Sequence, residues 1–362
     1  MAHPIRLFKY PTTGPEDTGP LQRLKAEEGY GADDVMAVVG KTEAELVSHG
    51  DAPSISNCSF SRTLSSSVWH PLIPPSSIAV FSGGTEGVLN PHVSFIVKEK
   101  AEHGPTGLLA MTGRTRRFEP DEVGTEVQVR EVEATVKAML IEAKLSVSAA
   151  HLVLVKCPLL TSSKIASIRS KGLTPVTTDT YESMAKSRYA TALGIAVALG
   201  ELSGQVEEVA EALRSGGEKW SAKASCSSGA ELDDCHILVL ASDEAATTSL
   251  ASGKPKLRAV SSYMKDAIDA EAILALLSHV RSSSGRVVQV FVKAEASPSG
   301  LIRDKRHTMS TDSDLHSTRH ARAAVGGLVA GLTGDTAVYV SGGAEGQGPP
   351  GGGSLAIVYE ID

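Results

Sequence analysis

Three serines, three lysines and three arginines recur along the 362-residue chain in one fixed order, and these residue types together can carry nucleophilic acyl chemistry. Each serine opens a short signature: Ser82-Gly83-Gly84-Thr85-Glu86, Ser227-Ser228-Gly229-Ala230-Glu231 and Ser341-Gly342-Gly343-Ala344-Glu345. Upstream of each stands a lysine at the end of an apolar run, Lys41 in VMAVVGKTE, Lys156 in HLVLVKCP and Lys293 in VVQVFVKAE. Between lysine and serine lies an arginine: Arg62, Arg188 and Arg319. A serine hydroxyl is a poor nucleophile at neutral pH unless a base takes its proton during attack. Lysine can be that base only when neutral, and burial or neighbouring positive charge favours the neutral amine. Glycine in the Ser-Gly-Gly and Ser-Ser-Gly turns lets consecutive backbone N–H groups face one point, as an oxyanion requires. The arginine forks suit an anionic or carbonyl-rich ligand.

Taken singly, a Ser-Gly pair is an ordinary turn and a strand-end lysine a solvated edge. The constant order of nine residues favours one shared site. A ligand meeting three equivalent sets of donors should be small, flat and nearly threefold symmetric. A protein that only binds small anions would need the arginines, but not three nucleophile and base pairs.

The elements that must position these residues alternate between strand and helix, which makes the class α/β. Apolar runs predict strands ending at Lys41 and Ser82, then His92 to Lys98, His151 to Val155, His236 to Ala241, Val287 to Val292, Ala337 to Ser341 and Ser354 to Tyr359. Helical spacing predicts helices over Glu131 to Lys144, Ser162 to Lys171, Tyr189 to Leu202, Asp269 to His279 and Arg319 to Leu332. The segment before Ser227, KWSAKASCS, is more polar than its counterparts. Boundaries at Gly104-Pro105 and near Ser252 to Pro255 divide the chain into units 1–103, 104–250 and 251–362. Units of this length exceed the roughly 20 to 50 residues of a solenoid repeat. The expectation is three homologous α/β units around a pseudo-threefold axis, their strands forming a central barrel-like core with helices outside.

Composition narrows the partners. With 35 Lys and Arg against 42 Asp and Glu, the formal charge is -7, and no basic excess marks a nucleic-acid surface. Cys58, Cys157, Cys226 and Cys235 have no CxxC spacing, and MAHPIRLFKYP is not an apolar signal segment. These features predict a reducing compartment, the cytoplasm. No apolar run approaches the roughly 20 residues of a membrane span. The histidines near Asp312 and Asp314 match no zinc pattern, so no catalytic metal is expected. Glu295 with the carbonyl-rich loop Ala344 to Gly352 suits a hard cation in a structural role.

Longer motifs carry a resemblance. GKTE at Gly40 to Glu43, FSGGTEGVLNPH at Phe81 to His92, VKCPLLTSSKIASIRSKG at Val155 to Gly172 and PVTTDTYESMAKSR at Pro175 to Arg188 are four of them. VKAEASPSG at Val292 to Gly300, RHTMSTDSDLHSTRHAR at Arg306 to Arg322 and YVSGGAEGQGPPGGG at Tyr339 to Gly353 complete the set. Together they span nearly the whole chain and resemble the ring-opening amidohydrolases of the cyanuric acid hydrolase and barbiturase family. The resemblance implies that Ser227 is the nucleophile and Lys156 its base. It implies that Ser82 with Lys41, and Ser341 with Lys293, bind and polarise the other two edges of a planar cyclic imide. Arg62, Arg188 and Arg319 would grip its oxygens, with the backbone at Gly83, Ser228 and Gly342. A structural divalent ion, Mg or Ca, would involve Glu295, Ala344, Gln347, Gly348, Pro349 and Gly352, and the assembly would be a homotetramer. Cyanuric acid would open to carboxybiuret, which loses carbon dioxide to give biuret. The runner-up is barbituric acid opening to ureidomalonate.

One stretch departs from that family's pattern. AELVSHGDAPSISNCSF intervenes after GKTE, and prolines at positions 71, 74 and 75 stand where the other two units have a long helix after the arginine. Proline disfavours such a helix. Either this unit trades a helix for a loop or the stretch is an altered or wrongly translated one, and the placing of Arg62 depends on it.

Overall fold

The computed structural model describes residues 1–42, 64–100, 107–216, 218–243 and 256–361. Four strands form the first set: β1 (His3–Pro11), β2 (Val35–Thr42), β3 (Ile78–Gly83) and β4 (His92–Lys98). The second set is β5 (Leu108–Arg114), β6 (Ala150–Pro158), β7 (Ala224–Gly229) and β8 (His236–Ser242). In the third, β9 (Lys256–Met264) and β10 (Gly285–Ala294) precede a small hairpin, β11 (Leu301–Ile302) and β12 (Lys305–Arg306), and then come β13 (Tyr339–Gly342) and β14 (Gly353–Ile361).

The three sets share one topology. Strand order is β3-β2-β4-β1 in the first, β7-β6-β8-β5 in the second and β13-β10-β14-β9 in the third. In each, the second and third strands run parallel and the fourth is antiparallel to the first and second. The first two sets join into one eight-stranded sheet through a brief β1–β5 pairing, His3 with Ala110 and Pro4 with Leu109.

Residue alternation along the strands explains the layers, since successive side chains point to opposite faces. On β6, Leu152 and Leu154 enter an apolar core shared with Val39 and Val80 of the first set and Phe291 and Val358 of the third. Val153 and Val155 face the other way, under helices α1 (Glu126–Ala143) and α3 (Thr180–Ala198), against Val132, Val136 and Ile195. Helix α2 (Ser162–Ser170) adds Ile165 and Ile168 to that layer, and α4 (Val206–Ser215) lies further out, against α3. Helices α5 (Ala270–Ser282) and α6 (Ser317–Thr333) cover the third set in the same way.

The barrel-like core expected from the sequence is not what forms. The eight-stranded sheet is open, ending in β3 and β7, and the four-stranded sheet ends in β13 and β9. Closure would need backbone ladders between these edges. Side chains bridge them instead: Lys156 Nζ donates to the Phe81 carbonyl on β3 at 2.8 Å, and Lys293 Nζ to the Cys226 carbonyl on β7 at 2.9 Å.

Helix starts also differ from the sequence expectation. Helix α3 begins nine residues before Tyr189, because the Asp179 carboxylate accepts from the Glu182 N–H at 2.7 Å and caps a polar first turn. Helix α1 begins at Glu126, capped by Thr125. In the first unit, helical residues 64–69 give way to a 3-10 turn at His70–Leu72, and Ile73 before Pro74 is extended. Residues 64–77 hold no helix of the length of α3 or α6, as Pro71, Pro74 and Pro75 predict. Arg62, Cys58 and the stretch from Ala44 to Phe60 lie outside the described residues, as do the proposed unit boundaries near 103 and 250.

Candidate active site

Strand register builds the site. On the parallel pair β2/β3, Lys41 stands opposite Ser82; on β6/β7, Lys156 opposite Ser227; on β10/β13, Lys293 opposite Ser341. All three lysines are buried to within 1% of full burial, beneath serines that share one cavity. That cavity, about 360 Å³, is lined by Ser82, Gly83, Ser227, Ser228, Ser341 and Gly342 from the strand ends, and by Arg188, Arg319 and Arg322 from the helices. Tyr181 and His316 stand at its lining too, with the Tyr181 hydroxyl 3.2 Å from His316 Nδ1.

The pairs are not chemically equivalent. Lys293 Nζ lies 3.0 Å from Ser341 Oγ and 3.0 Å from the Gly342 carbonyl. Lys41 Nζ lies 3.3 Å from Ser82 Oγ and 2.7 Å from the Gly83 carbonyl. Ser82 Oγ in turn donates to Ser341 Oγ at 3.2 Å, so these two pairs form one polar chain. Ser227 Oγ has no hydrogen-bond partner among the described residues, while Lys156 Nζ pairs with Glu231 at 3.1 Å. Burial, then the positive charge of Arg188, pulls the Lys293 ammonium down to about 7.

The arginines come from the helices. Arg188, buried on α3, donates through Nε and Nη2 to Glu345 at 2.8 and 2.7 Å, and through Nη1 to Ser228 Oγ at 3.3 Å. Arg322 on α6 makes the matching fork with Glu86, its Nε at 2.8 Å and its Nη2 on the second oxygen. Burial pushes the Glu345 and Glu86 carboxyls up, but Arg188 and Arg322 outweigh it and hold both below the ordinary range. Arg319, the expected third-unit arginine, lines the cavity one turn nearer the helix start. The contact-for-contact counterpart of Arg188 is Arg322, three residues later. In the sequence, Arg322 sits at the end of HSTRHAR, and only the helix geometry separates the two arginines.

Of the residues expected around a cation, Glu295, Ala344 and Gly348 line a second cavity together with Glu345. The Glu295 carboxyl is lifted to about 7, first by burial and then by Glu345, and accepts from the Gly351 N–H at 3.1 Å. A buried carboxylate in that state beside a carbonyl-rich loop is chemically suited to a hard cation. The Gln347 side chain is engaged elsewhere, accepting from Cys226 N–H and donating to the Gly343 carbonyl at 3.0 Å. Among the described residues no group of three or more His, Cys, Asp or Glu is placed to hold a metal. Any cation here therefore relies on backbone oxygens around Glu295.

Residues 6–360 match the family described as amidohydrolase ring-opening protein. The chain belongs to this family. Members similar to it include a cyanuric acid amidohydrolase of Sarocladium sp, 54% identical over 99% of this chain and 98% of the relative. Another, from Rhodococcus sp, is 50% identical over 98% and 95%. A solved cyanuric acid hydrolase from A. caulinodans superposes with a TM-score of 0.85 at 35% identity, covering 100% of both chains. Within an amidohydrolase ring-opening family, three in-register lysine–serine pairs around one cavity have a direct chemical use.

Proposed function

We infer that this chain hydrolyses cyanuric acid, opening the ring by attack of a serine on one carbonyl carbon. The observation that carries the inference is the register itself: three lysine–serine pairs end at one cavity, which a flat ring with three equivalent edges can fill. Ser227 is the proposed nucleophile. Its Oγ is uncommitted, whereas Ser82 and Ser341 are tied to lysines and to each other, which suits them to hold the other two ring edges. Arg188, Arg322 and Arg319 supply positive charge at the cavity wall, and Arg62 is the expected first-unit grip. Backbone groups at Gly83, Ser228 and Gly342 are the proposed oxyanion donors.

In the proposed step, Ser227 Oγ bonds to the ring carbon as its proton passes to Lys156 Nζ. The C–N bond then breaks, and the ring nitrogen leaves with a proton returned from the lysine. Water cleaves the resulting ester to release carboxybiuret, which loses carbon dioxide to give biuret. A divalent cation near Glu295, Ala344, Gly348, Pro349 and Gly352 would neutralise the buried carboxylate and fix the loop behind Ser341. No step of the reaction passes through it.

A second reading has a specific observation behind it. Lys293 is both hydrogen-bonded to Ser341 and drawn down to about 7, as a serine's base should be. Ser341 would then attack. Parallel turnover of cyanuric and barbituric acids by the wild type and the Ser227→Ala and Ser341→Ala variants separates the readings. Activity on barbituric acid alone would overturn the substrate assignment.

The same reading includes three units, 1–103, 104–250 and 251–362, which the repeated strand order supports. It also includes a homotetramer, for which light scattering is the test. A cytoplasmic setting fits the buried free thiols of Cys157, Cys226 and Cys235, and fractionation with a compartment marker tests it. No helix among the described residues is long and apolar enough to cross a membrane.

A further inference from the structure

Each signature carries a glycine two residues after its serine and a glutamate four residues after it, and neither the nucleophile nor the base explains that spacing. The geometry does. A Cβ on Gly84 would lie 2.2 Å from Arg322 Nε, and one on Gly343 would lie 2.6 Å from Arg188 Nη2. In the middle unit, a Cβ on Gly229 would lie 2.5 Å from Lys156 Cε. In every unit the glycine opens the space through which a cationic side chain reaches the glutamate.

We propose that Glu86 and Glu345 are positioning residues that clamp the substrate-gripping arginines, Arg322 and Arg188, each across a unit boundary. A bidentate carboxylate takes Nε and Nη2 and fixes the plane of the guanidinium. The remaining nitrogen, Nη1, then has one direction left. In Arg188 it lies on Ser228, and in Arg322 it packs at Gly342, where an added Cβ would meet it at 2.7 Å. Ser228 and Gly342 are the second residues of their signatures, so each arginine spans from the serine loop of its own unit to the glutamate of the next.

A free arginine side chain must lose rotamer entropy when it grips a ligand, and a preformed clamp removes that cost before binding. A guanidinium also carries five N–H donors, so engaging two of them with glutamate still leaves donors for ring oxygens. In the middle signature the glutamate at this offset is Glu231. Glu231 meets Lys156 at 3.1 Å and accepts from Ser66 Oγ at 3.2 Å, so the signature there reaches the proposed base. Among the described residues, the repeated offset therefore joins Glu86 and Glu345 to arginines and Glu231 to a lysine.

This inference rests on the proposed cyanuric acid hydrolysis, and the test separates the two. Steady-state kinetics on cyanuric acid are measured for wild type, Arg322→Ala, Glu86→Gln and, as a second clamp, Glu345→Gln, with circular dichroism and thermal melting of each. Glu86 lies away from the candidate cation loop, so its variant isolates the clamp. The expected result is a KM raised about tenfold or more in both glutamine variants, with kcat reduced less than KM is raised. A wild type without turnover would remove the functional reading itself. If Arg322→Ala raises KM and a folded Glu86→Gln keeps the wild-type KM within twofold, the clamp is wrong. A loss of melting temperature and of kcat at unchanged KM would likewise assign Glu86 a structural role only.

Discussion

Lys293 Nζ lies 2.9 Å from the carbonyl oxygen of Cys226, the residue immediately before Ser227, although the two belong to different four-strand sets. The lysine paired in register with Ser341 therefore also anchors the strand end that presents Ser227. Lys156 repeats the relationship with Phe81, the residue before Ser82. The second set thus holds the strand end of Ser82 and the third set that of Ser227, and lysine Nζ groups reach the sheet edges β3 and β7 where a barrel would have backbone ladders.

A first prediction follows for Lys293→Met. The methionine fills the volume but leaves the Cys226 and Gly342 carbonyls without their donor, at a cost of about 1–3 kcal/mol per buried group. Both melting temperature and kcat should fall, the latter at least tenfold, even if Ser227 is the nucleophile. Retention of full kcat would show that the anchor does not set the position of Ser227.

The glycines give a second prediction. Gly84 and Gly343 have φ of +99° and +70°, and an added methyl at either meets an arginine below 3 Å. Gly84→Ala should therefore displace Arg322 and cost about 1–3 kcal/mol from backbone conformation alone. Expected kinetics are a fall in kcat/KM of at least tenfold. Gly327→Ala, at a helix position with open space around it, serves as the control and should melt at or above the wild-type temperature.

Stability against acid is set partly by His92. Burial pushes its imidazole down to about 4, and in the native state its Nδ1 lies 2.9 Å from the Asn90 carbonyl. The unfolded chain binds that proton near 6.5, the native chain only near 4. Stability from this group is therefore complete above pH 6.5 and falls as pH drops toward 4, by about 3 kcal/mol in all. Denaturant melts of wild type and His92→Gln at pH 7 and pH 5 check this: the variant should lose less between the two. Equal losses would assign the acid sensitivity to other groups.

Gln128 is a structural lever under Arg188. Fully buried on α1, its amide donates to Ser187 Oγ at 2.9 Å and Thr191 Oγ1 at 2.8 Å on α3, and its carbonyl accepts from Gly124 N–H at 2.7 Å. Gln128→Leu removes those partners and should destabilise the protein by about 2 kcal/mol. Chemical denaturation measures it directly, and an unchanged midpoint would contradict the role.

How much of this was legible in the sequence depends on the residue. The lysine and serine strand ends could be read because β-branched runs stop there, and register then made Lys41–Ser82, Lys156–Ser227 and Lys293–Ser341 direct neighbours. Even β7, whose sequence ASCSSG is polar, forms a fully buried strand, since pairing with β6 and burial on both faces override its weak propensity. The barrel was not legible, because strand pattern fixes which residues face inward but not whether sheet edges join. Arg319 and Arg322 both lie in the same short motif, and only the turn of α6 and the position of Glu86 distinguish them. The glutamate at a constant offset was visible in all three signatures. The arginines that Glu86 and Glu345 hold come from distant parts of the chain, so no local reading could assign them.

The most direct test of a Ser227-based ring opening is acid quench of a single turnover of cyanuric acid, followed by mass spectrometry of the digested protein. An acyl adduct on the peptide carrying Ser227, absent in Ser227→Ala together with turnover, is the predicted result. An adduct on the peptide carrying Ser341, or full turnover in Ser227→Ala, would contradict it.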